Sequence, residues 1–402
     1  MTDGDLRLPR WAVTGLFLVN GMVLASYYVR VPSLKSSVGL TDGRLGVVLT
    51  FAAVAALLGM QFAAALSARY GSSLVARVSA VALPVSLSVV GLSGGFVPLL
   101  AALLLFGAVG GLLDVAMNSQ AIAVERALDR PVMNGCHAAW SLGSIIGSLL
   151  GSLAVKGDVP LTWHYLLLGV PVVVFAAVIG RWLMPVADGR APEMDAGERP
   201  AAGRRSGWSP AVVLFGVMGA AVLLLEGAVS TWSGVYLHED RGATLAVASL
   251  AYVGFSALQA AGRLFGDRLH RRFGAVRLVF CGGLLAIAGL ALALVPSPAV
   301  AIAGFAVLGA GLSVLLPVIL SAVGHSSAQR YGPASVATAV SRFTTVSYAG
   351  ILLGPVVVGW LAEGLGLTWT LAGLQVLLVG VVLLARRTAA ADQREQAPGR
   401  TG

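Results

Sequence analysis

The chain has 402 residues, of which 57% are hydrophobic and only 11% charged, and its mean hydropathy is +0.87. Soluble domains carry about 25% charged residues, so this composition excludes an ordinary soluble domain. The net charge of +9 would suit a nucleic-acid partner if it were clustered on one face, but the charges lie in the gaps between apolar runs, so no nucleic acid is expected.

About twenty residues at 1.5 Å rise cross a hydrocarbon core of ~30 Å. Runs of that kind occur at Trp11–Val29, Gly46–Leu66, Leu74–Leu92, Val97–Val124, Met133–Val155 and Trp163–Met184. After a polar gap they resume at Ala211–Leu237, Leu245–Phe265, Val276–Val295, Val300–Val323, Val336–Leu361 and Trp369–Leu384. The pattern predicts an all-α polytopic membrane protein with twelve transmembrane helices. Pro84, Pro171, Pro317 and Pro355 fall inside runs, which packed membrane helices tolerate because neighbours satisfy the freed carbonyls.

With a cytoplasmic N-terminus, only Arg30, Lys35, Arg44, Lys156 and Arg241 of the 27 Lys and Arg residues fall outside cytoplasmic segments or helix ends. That asymmetry is the positive-inside rule, and it predicts a bacterial inner-membrane protein with both termini cytoplasmic. The first run is too long for a signal-peptide core and lacks a small-residue cleavage site, so no cleavage is expected. Cys136 and Cys281 form neither a disulfide framework nor a metal site.

The segment 185–210 is rich in Pro, Gly and charge and reads as a cytoplasmic linker. It separates an N-terminal six-helix bundle (1–184) from a C-terminal bundle with a tail (211–402). The halves resemble each other at an offset of 206: Asn20-Gly21 matches Glu226-Gly227, and Leu161-Thr162-Trp163 matches Leu367-Thr368-Trp369. The glycine rows Gly143, Gly147, Gly151 and Gly350, Gly354, Gly359 sit in the equivalent fifth and eleventh spans. Parallel six-helix repeats of this kind are known among secondary transporters.

Four stretches make the likeness specific: RVPSLKSSVGLTDGRLG from Arg30, GGLLDVAMNSQAIAVERALDRPVMNGCHAAWSLGSIIG from Gly110, EGAVSTWSGVYL from Glu226 and GRLFGDRLHRRFG from Gly262. Together they resemble the bacterial permease branch of the major facilitator superfamily that is similar to fucose permeases. The resemblance covers essentially the whole chain. It implies a twelve-helix alternating-access transporter, commonly proton-coupled. The chain departs from the superfamily in its first cytoplasmic loop, AALSARYGSS, where Ala68 replaces the acid and Ser72-Ser73 the basic pair. It also lacks two marks of drug antiporters, a fourth-span Arg and a fifth-span Gly-Pro.

Asp114 is flanked by Leu112, Leu113, Val115 and Ala116 in the fourth span. A charged carboxylate there costs roughly 2.5–3.5 kcal/mol or more, so it is expected to serve proton coupling. The alternative is a helix-packing acid held by a neighbour's hydrogen bond. His137, entering the fifth span, is a candidate partner for Asp114, and Asn118 and Asn134 would extend the cluster. Glu226 is the other deep acid, with a proton or substrate role. Asn20, its repeat mate, and Trp232 are candidate substrate contacts, although an interfacial aromatic belt also accounts for Trp232, Tyr236, Tyr27 and Tyr28. Arg263 and Asp267 are spaced for an intrahelical pair. With Arg268 they resemble the superfamily's cytoplasmic gate.

No phosphate-cradling loop, zinc grouping or nucleophile triad is apparent, so no enzyme activity and no cofactor or metal is expected. The partners expected are a small-molecule substrate, protons and the lipid bilayer, and the chain is expected to act as a monomer. The reading is proton-coupled uptake of a polar or sugar-like solute. Proton-driven efflux of a drug or metabolite is a first alternative, and a non-transporting sensor or structural membrane protein a second.

Overall fold

The computed structural model describes residues 6–128, 132–184, 208–332 and 336–392. Most of the expected linker, 185–207, lies outside these residues, as do the side chains of Asn134 and Asp267. Among the described residues every regular element is a helix. The first half contains α1 (Arg7–Val29), α2 (Val31–Val38), α3 (Asp42–Tyr70), α4 (Ser72–Gly91), α5 (Phe96–Leu128), α6 (Met133–Lys156) and α7 (Leu161–Ile179). The second contains α8 (Pro210–Glu239), α9 (Leu245–Phe273), α10 (Ala275–Ala293), α11 (Pro298–Leu312), α12 (Leu315–Tyr331), α13 (Val336–Leu365), α14 (Leu367–Gly373) and α15 (Gln375–Leu383).

Eleven helical stretches are long and apolar enough to cross a membrane, and a shorter apolar stretch, Leu367–Leu383, makes the twelfth. Large apolar side chains such as Phe62, Val78, Leu153, Leu167, Val170, Trp360 and Val376 are exposed on the helix surfaces. In water such an exterior would aggregate; in lipid it is the solvated face.

Three details depart from the apolar pattern. The tenth span breaks after Leu312 and resumes as α12 at Leu315. Pro317 explains the break, because its ring lacks an N–H and clashes with the carbonyl four residues back, at Ser313. The twelfth span also breaks, at Leu374. Finally, α2 is an eight-residue helix that apolar run length does not reveal. Pro32 sits in its first turn, and Gly39 ends it at φ +67°. There Leu40 N–H donates to the Lys35 carbonyl (3.1 Å), a left-handed glycine stop.

By its contacts the chain divides into two units, Met1–Arg199 with Leu237–Val253, and Pro200–Tyr236 with Gly254–Gly402. The C-terminal end of α8 and the start of α9 thus group with the first unit. In that unit α1 is the most enclosed long helix, and it lies directly on α6. A Cβ added at Gly143 would come 2.1 Å from the Leu18 carbonyl oxygen, and one at Gly147 would come 2.1 Å from that of Met22. Ser144 Oγ donates to the Gly21 carbonyl (3.4 Å). Lipid tails are as apolar as leucine, so close packing of this sort is what holds membrane helices together.

The second unit repeats the device. A Cβ at Gly350 of α13 would meet the Ala220 carbonyl oxygen of α8 at 2.1 Å, and Ser347 Oγ donates to the Gly216 carbonyl (3.3 Å). A close glycine and a serine hydroxyl therefore join α6 to α1, and α13 to α8. Gly289 and Gly304 bring α10 and α11 together in the same way, a Cβ at Gly304 falling 2.2 Å from the Ala293 nitrogen.

Overpacking of a tight interface costs about 1–3 kcal/mol. Gly147→Val is expected to lower the melting temperature of the purified protein by several degrees. Gly135→Ala, where nothing lies within 4 Å, should leave it unchanged or raise it slightly. Thermal unfolding followed by tryptophan fluorescence in detergent checks both.

Candidate functional site

Asp114 lies in the middle of α5, half-buried. Among the described residues its carboxylate has no hydrogen-bond or ion-pair partner. Asn118, one turn on, does not bind it either; its Nδ2 donates to the Asp114 backbone carbonyl at 2.8 Å. The expected link to His137 does not form. His137 is exposed in the first turn of α6, with its ring edge-on to Phe17 at 5.2 Å. The imidazole follows the apolar α1 surface and leaves the acid on α5 alone.

Asn20 is buried on α1, where its Oδ1 accepts from Trp140 Nε1 at 2.9 Å. That bond sits one residue from the close contact between Gly21 and the Trp140 carbonyl, so helix packing sets the asparagine's orientation. Glu125, near the end of α5, accepts from the backbone N–H groups of Val132 (2.8 Å) and Met133 (3.1 Å). It caps the start of α6, satisfying donors that a helix N-terminus leaves open.

In the second unit, Arg263 of α9 places Nη2 3.4 Å from both Oε1 and Oε2 of Glu226 on α8. Sequence spacing pairs Arg263 with Asp267, whose side chain lies outside the described residues; among the described residues the guanidinium meets Glu226. Gln259, one turn earlier on α9, lies beside the same carboxylate, though its amide nitrogen makes no hydrogen bond. The two acids of the membrane interior are therefore held differently, Glu226 with a counter-charge and Asp114 without one. Arg268 is exposed.

Trp232, Tyr236 and Tyr27 are buried inside the protein, while Tyr28 is half-buried. Trp232 is fully buried, and its indole N–H meets no acceptor among the described residues. Tyr236 is also buried and donates its hydroxyl to the Ala293 carbonyl (3.1 Å). Tyr27 is buried against Phe106, ring centroids 5.1 Å apart.

One charged cluster escapes sequence analysis altogether. Lys35 of α2 is 6% exposed. Its Nζ donates to Asp42 Oδ1 at 2.5 Å and also to Glu239 Oε2, 204 residues away. Lys35 and Asp42 are too far apart for one helical turn, and Glu239 is remote in sequence. The only available signal was that Lys35 violates the positive-inside distribution.

The family model described as Major Facilitator Superfamily matches residues 13–331 and 220–401. The membrane protein MosC of Rhizobium meliloti is 33% identical over 385 residues, covering 95% of this chain and 90% of that protein. Among solved structures, the nucleoside transporter NupG aligns with a TM-score of 0.75 at 14% identity, over 97% of this chain and 100% of that one. A D-xylose-proton symporter aligns with a TM-score of 0.71 at 16% identity, over 94% and 96% respectively. Identities this low speak for the fold.

The two ion-pair clusters should differ in weight. The Arg263 side chain is 37% exposed, so a double-mutant cycle of Arg263→Met and Glu226→Gln should give a coupling of no more than about 1 kcal/mol. Lys35 is enclosed, so Lys35→Met leaves two acids facing each other without a cation and should destabilise more than Arg263→Met. Equilibrium unfolding in mixed micelles measures both; the reverse ranking would refute the assignment.

Proposed function

The chain belongs to the major facilitator superfamily of membrane transporters, and on that footing we propose that it is a proton-coupled secondary transporter taking up a polar, sugar-like solute. The observation that carries this reading is the unpartnered Asp114 carboxylate inside α5. An intramembrane acid that no neighbour neutralises must either stay protonated or exchange its proton with a water-filled path. That exchange is the elementary step of proton coupling. Glu226 differs in having a counter-charge, Arg263, 3.4 Å away. The Glu226–Arg263 pair suits recognition of a polar solute, whose hydroxyls can exchange hydrogen bonds with both groups.

Energetically the assignment is sufficient. One charge moved through 100 mV is worth about 2.3 kcal/mol, enough for roughly 50-fold accumulation. NupG and the xylose-proton symporter, by their names, handle a nucleoside and a sugar, both polar and hydroxylated, in keeping with the solute class proposed.

The architecture goes with it: bundles 1–184 and 211–402 work as halves around a cytoplasmic linker 185–210, as a monomer in the bacterial inner membrane with both termini inside. Reporter fusions should place the linker in the cytoplasm and Glu239 in the periplasm. Finding both on one side would overturn the two-half arrangement.

Asp114→Asn mimics a protonated carboxyl that cannot release its proton. It should abolish pH-driven accumulation in proteoliposomes, at least tenfold below wild type, while leaving solute counterflow within about twofold. Screening a radiolabelled sugar and polyol panel with and without a pH gradient supplies the solute. Wild-type accumulation by the Asn variant would show that Asp114 carries no coupled proton.

A further inference from the structure

At the junction of α1 and α2 lies a buried cation with no anionic partner among the described residues. Arg30 is 4% exposed. One guanidinium nitrogen, Nη2, donates to the Val159 carbonyl at 3.0 Å. Its Nε and Nη1 are closed off from solvent and meet no acceptor among the described residues. Among the described residues no acidic side chain pairs with it. Buried arginines normally face a carboxylate or phosphate, because only an anion offsets the lost hydration of the charge.

The surroundings add more open donors. Arg30 N–H donates to the Tyr27 carbonyl of α1 (3.0 Å), and its guanidinium reaches Val159 just before α7, where His164 and Tyr165 stand with ring centroids 5.3 Å apart. Tyr27, His164 and Tyr165 are all at least nine-tenths buried. The Tyr27 and Tyr165 hydroxyls and His164 Nδ1 lack hydrogen-bond partners. His164 is fixed from its other side, Nε2 lying 3.2 Å from Ser26 Oγ. Gly151 of α6 keeps this wall open, since a Cβ there would press on Val29 at 2.6 Å and approach His164 Cε1 at 3.7 Å. Unpartnered polar atoms are rare in a folded interior, and here several gather around one guanidinium with unpartnered donors.

We infer that Arg30, Tyr27 and Tyr165 form a binding site for a small oxyanion, a carboxylate or an inorganic phosphate. The guanidinium edge offers Nε and Nη1 as a fork that matches two oxygens of one anion. The tyrosine hydroxyls supply further donors. His164, anchored to Ser26, presents Nδ1 at the same place. The site belongs to the first unit alone and involves neither Asp114 nor the Glu226–Arg263 pair. Occupancy requires the α1–α2 junction to part from α7, because these atoms are closed over in this conformation.

The test uses the full chain in lipid nanodiscs at fixed pH and ionic strength, without a proton gradient, so it is independent of proton coupling. Isothermal titration is run with acetate, glucuronate and inorganic phosphate, with glucose as the uncharged counterpart of glucuronate. Saturable binding of at least one oxyanion is expected, with none for glucose. Arg30→Gln should weaken it at least tenfold, Arg30→Lys less because it keeps the charge but loses the fork, and Tyr165→Phe severalfold. Carboxylates binding while phosphate stays silent assigns the site to an organic acid; phosphate binding assigns it to an inorganic oxyanion. Absence of saturable binding to the folded wild type overturns the inference, as does an affinity that Arg30→Gln leaves unchanged. Should Arg30→Gln fail to fold, unchanged affinity in both Arg30→Lys and Tyr165→Phe overturns it equally.

Discussion

Inside a hydrocarbon layer there is no water to hydrogen-bond a polar group, so each one must find a partner in the protein or bear the cost of having none. This constraint organises the molecule. It makes every described element a helix, whose backbone groups bond within the segment. It removes the hydrophobic drive between helices, so that glycine stripes and serine hydroxyls take over the joining of α1 to α6 and of α8 to α13. It also sorts the polar side chains into those that are satisfied and those that are not. Asn20, Gln120 and Tyr236 are satisfied at least in part, through Trp140, Ser72 and the Ala293 carbonyl. The unsatisfied ones gather in a few places, and those are where chemistry is to be sought.

The two deep acids illustrate the sorting. Glu226 has acquired a cation from the next helix, at a distance where the attraction is real but loose and the arginine side chain stays partly exposed. Such a pair can be prised apart by a competing polar molecule at modest expense. Asp114 has no such companion among the described residues.

The helices were legible because a membrane span is a local property of composition; each of the twelve runs appears close to its expected position. The eight residues of α2 were not, since a short amphipathic helix leaves no run to detect. The interruption at Leu312 was half-visible through Pro317. The site was legible only as a set of residue types. Asp114 and Glu226 stood out as charges in the wrong solvent, but their partners depend on which helices touch. Glu226 meets Arg263 across 37 residues and Lys35 meets Glu239 across 204, and nearest-turn spacing points elsewhere. Arg30 and Lys35 were visible in another guise. Both break the distribution of basic residues that orients the chain, and both prove to be buried.

The backbone-to-backbone seams at Gly143, Gly147 and Gly350 bear on how this gene can drift. A single-base change in any glycine codon yields alanine, serine, cysteine, valine, aspartate, glutamate, arginine, tryptophan or a stop, and every one of these residues brings at least a Cβ. At those three positions that first carbon would lie 2.1 Å from a carbonyl oxygen. The codons thus have no acceptable missense neighbour unless the opposing helix shifts, whereas Gly135 and Gly380, with nothing within 4 Å, are free to wander. Purifying selection on this chain should be written most sharply in glycines that touch no solute and carry no proton.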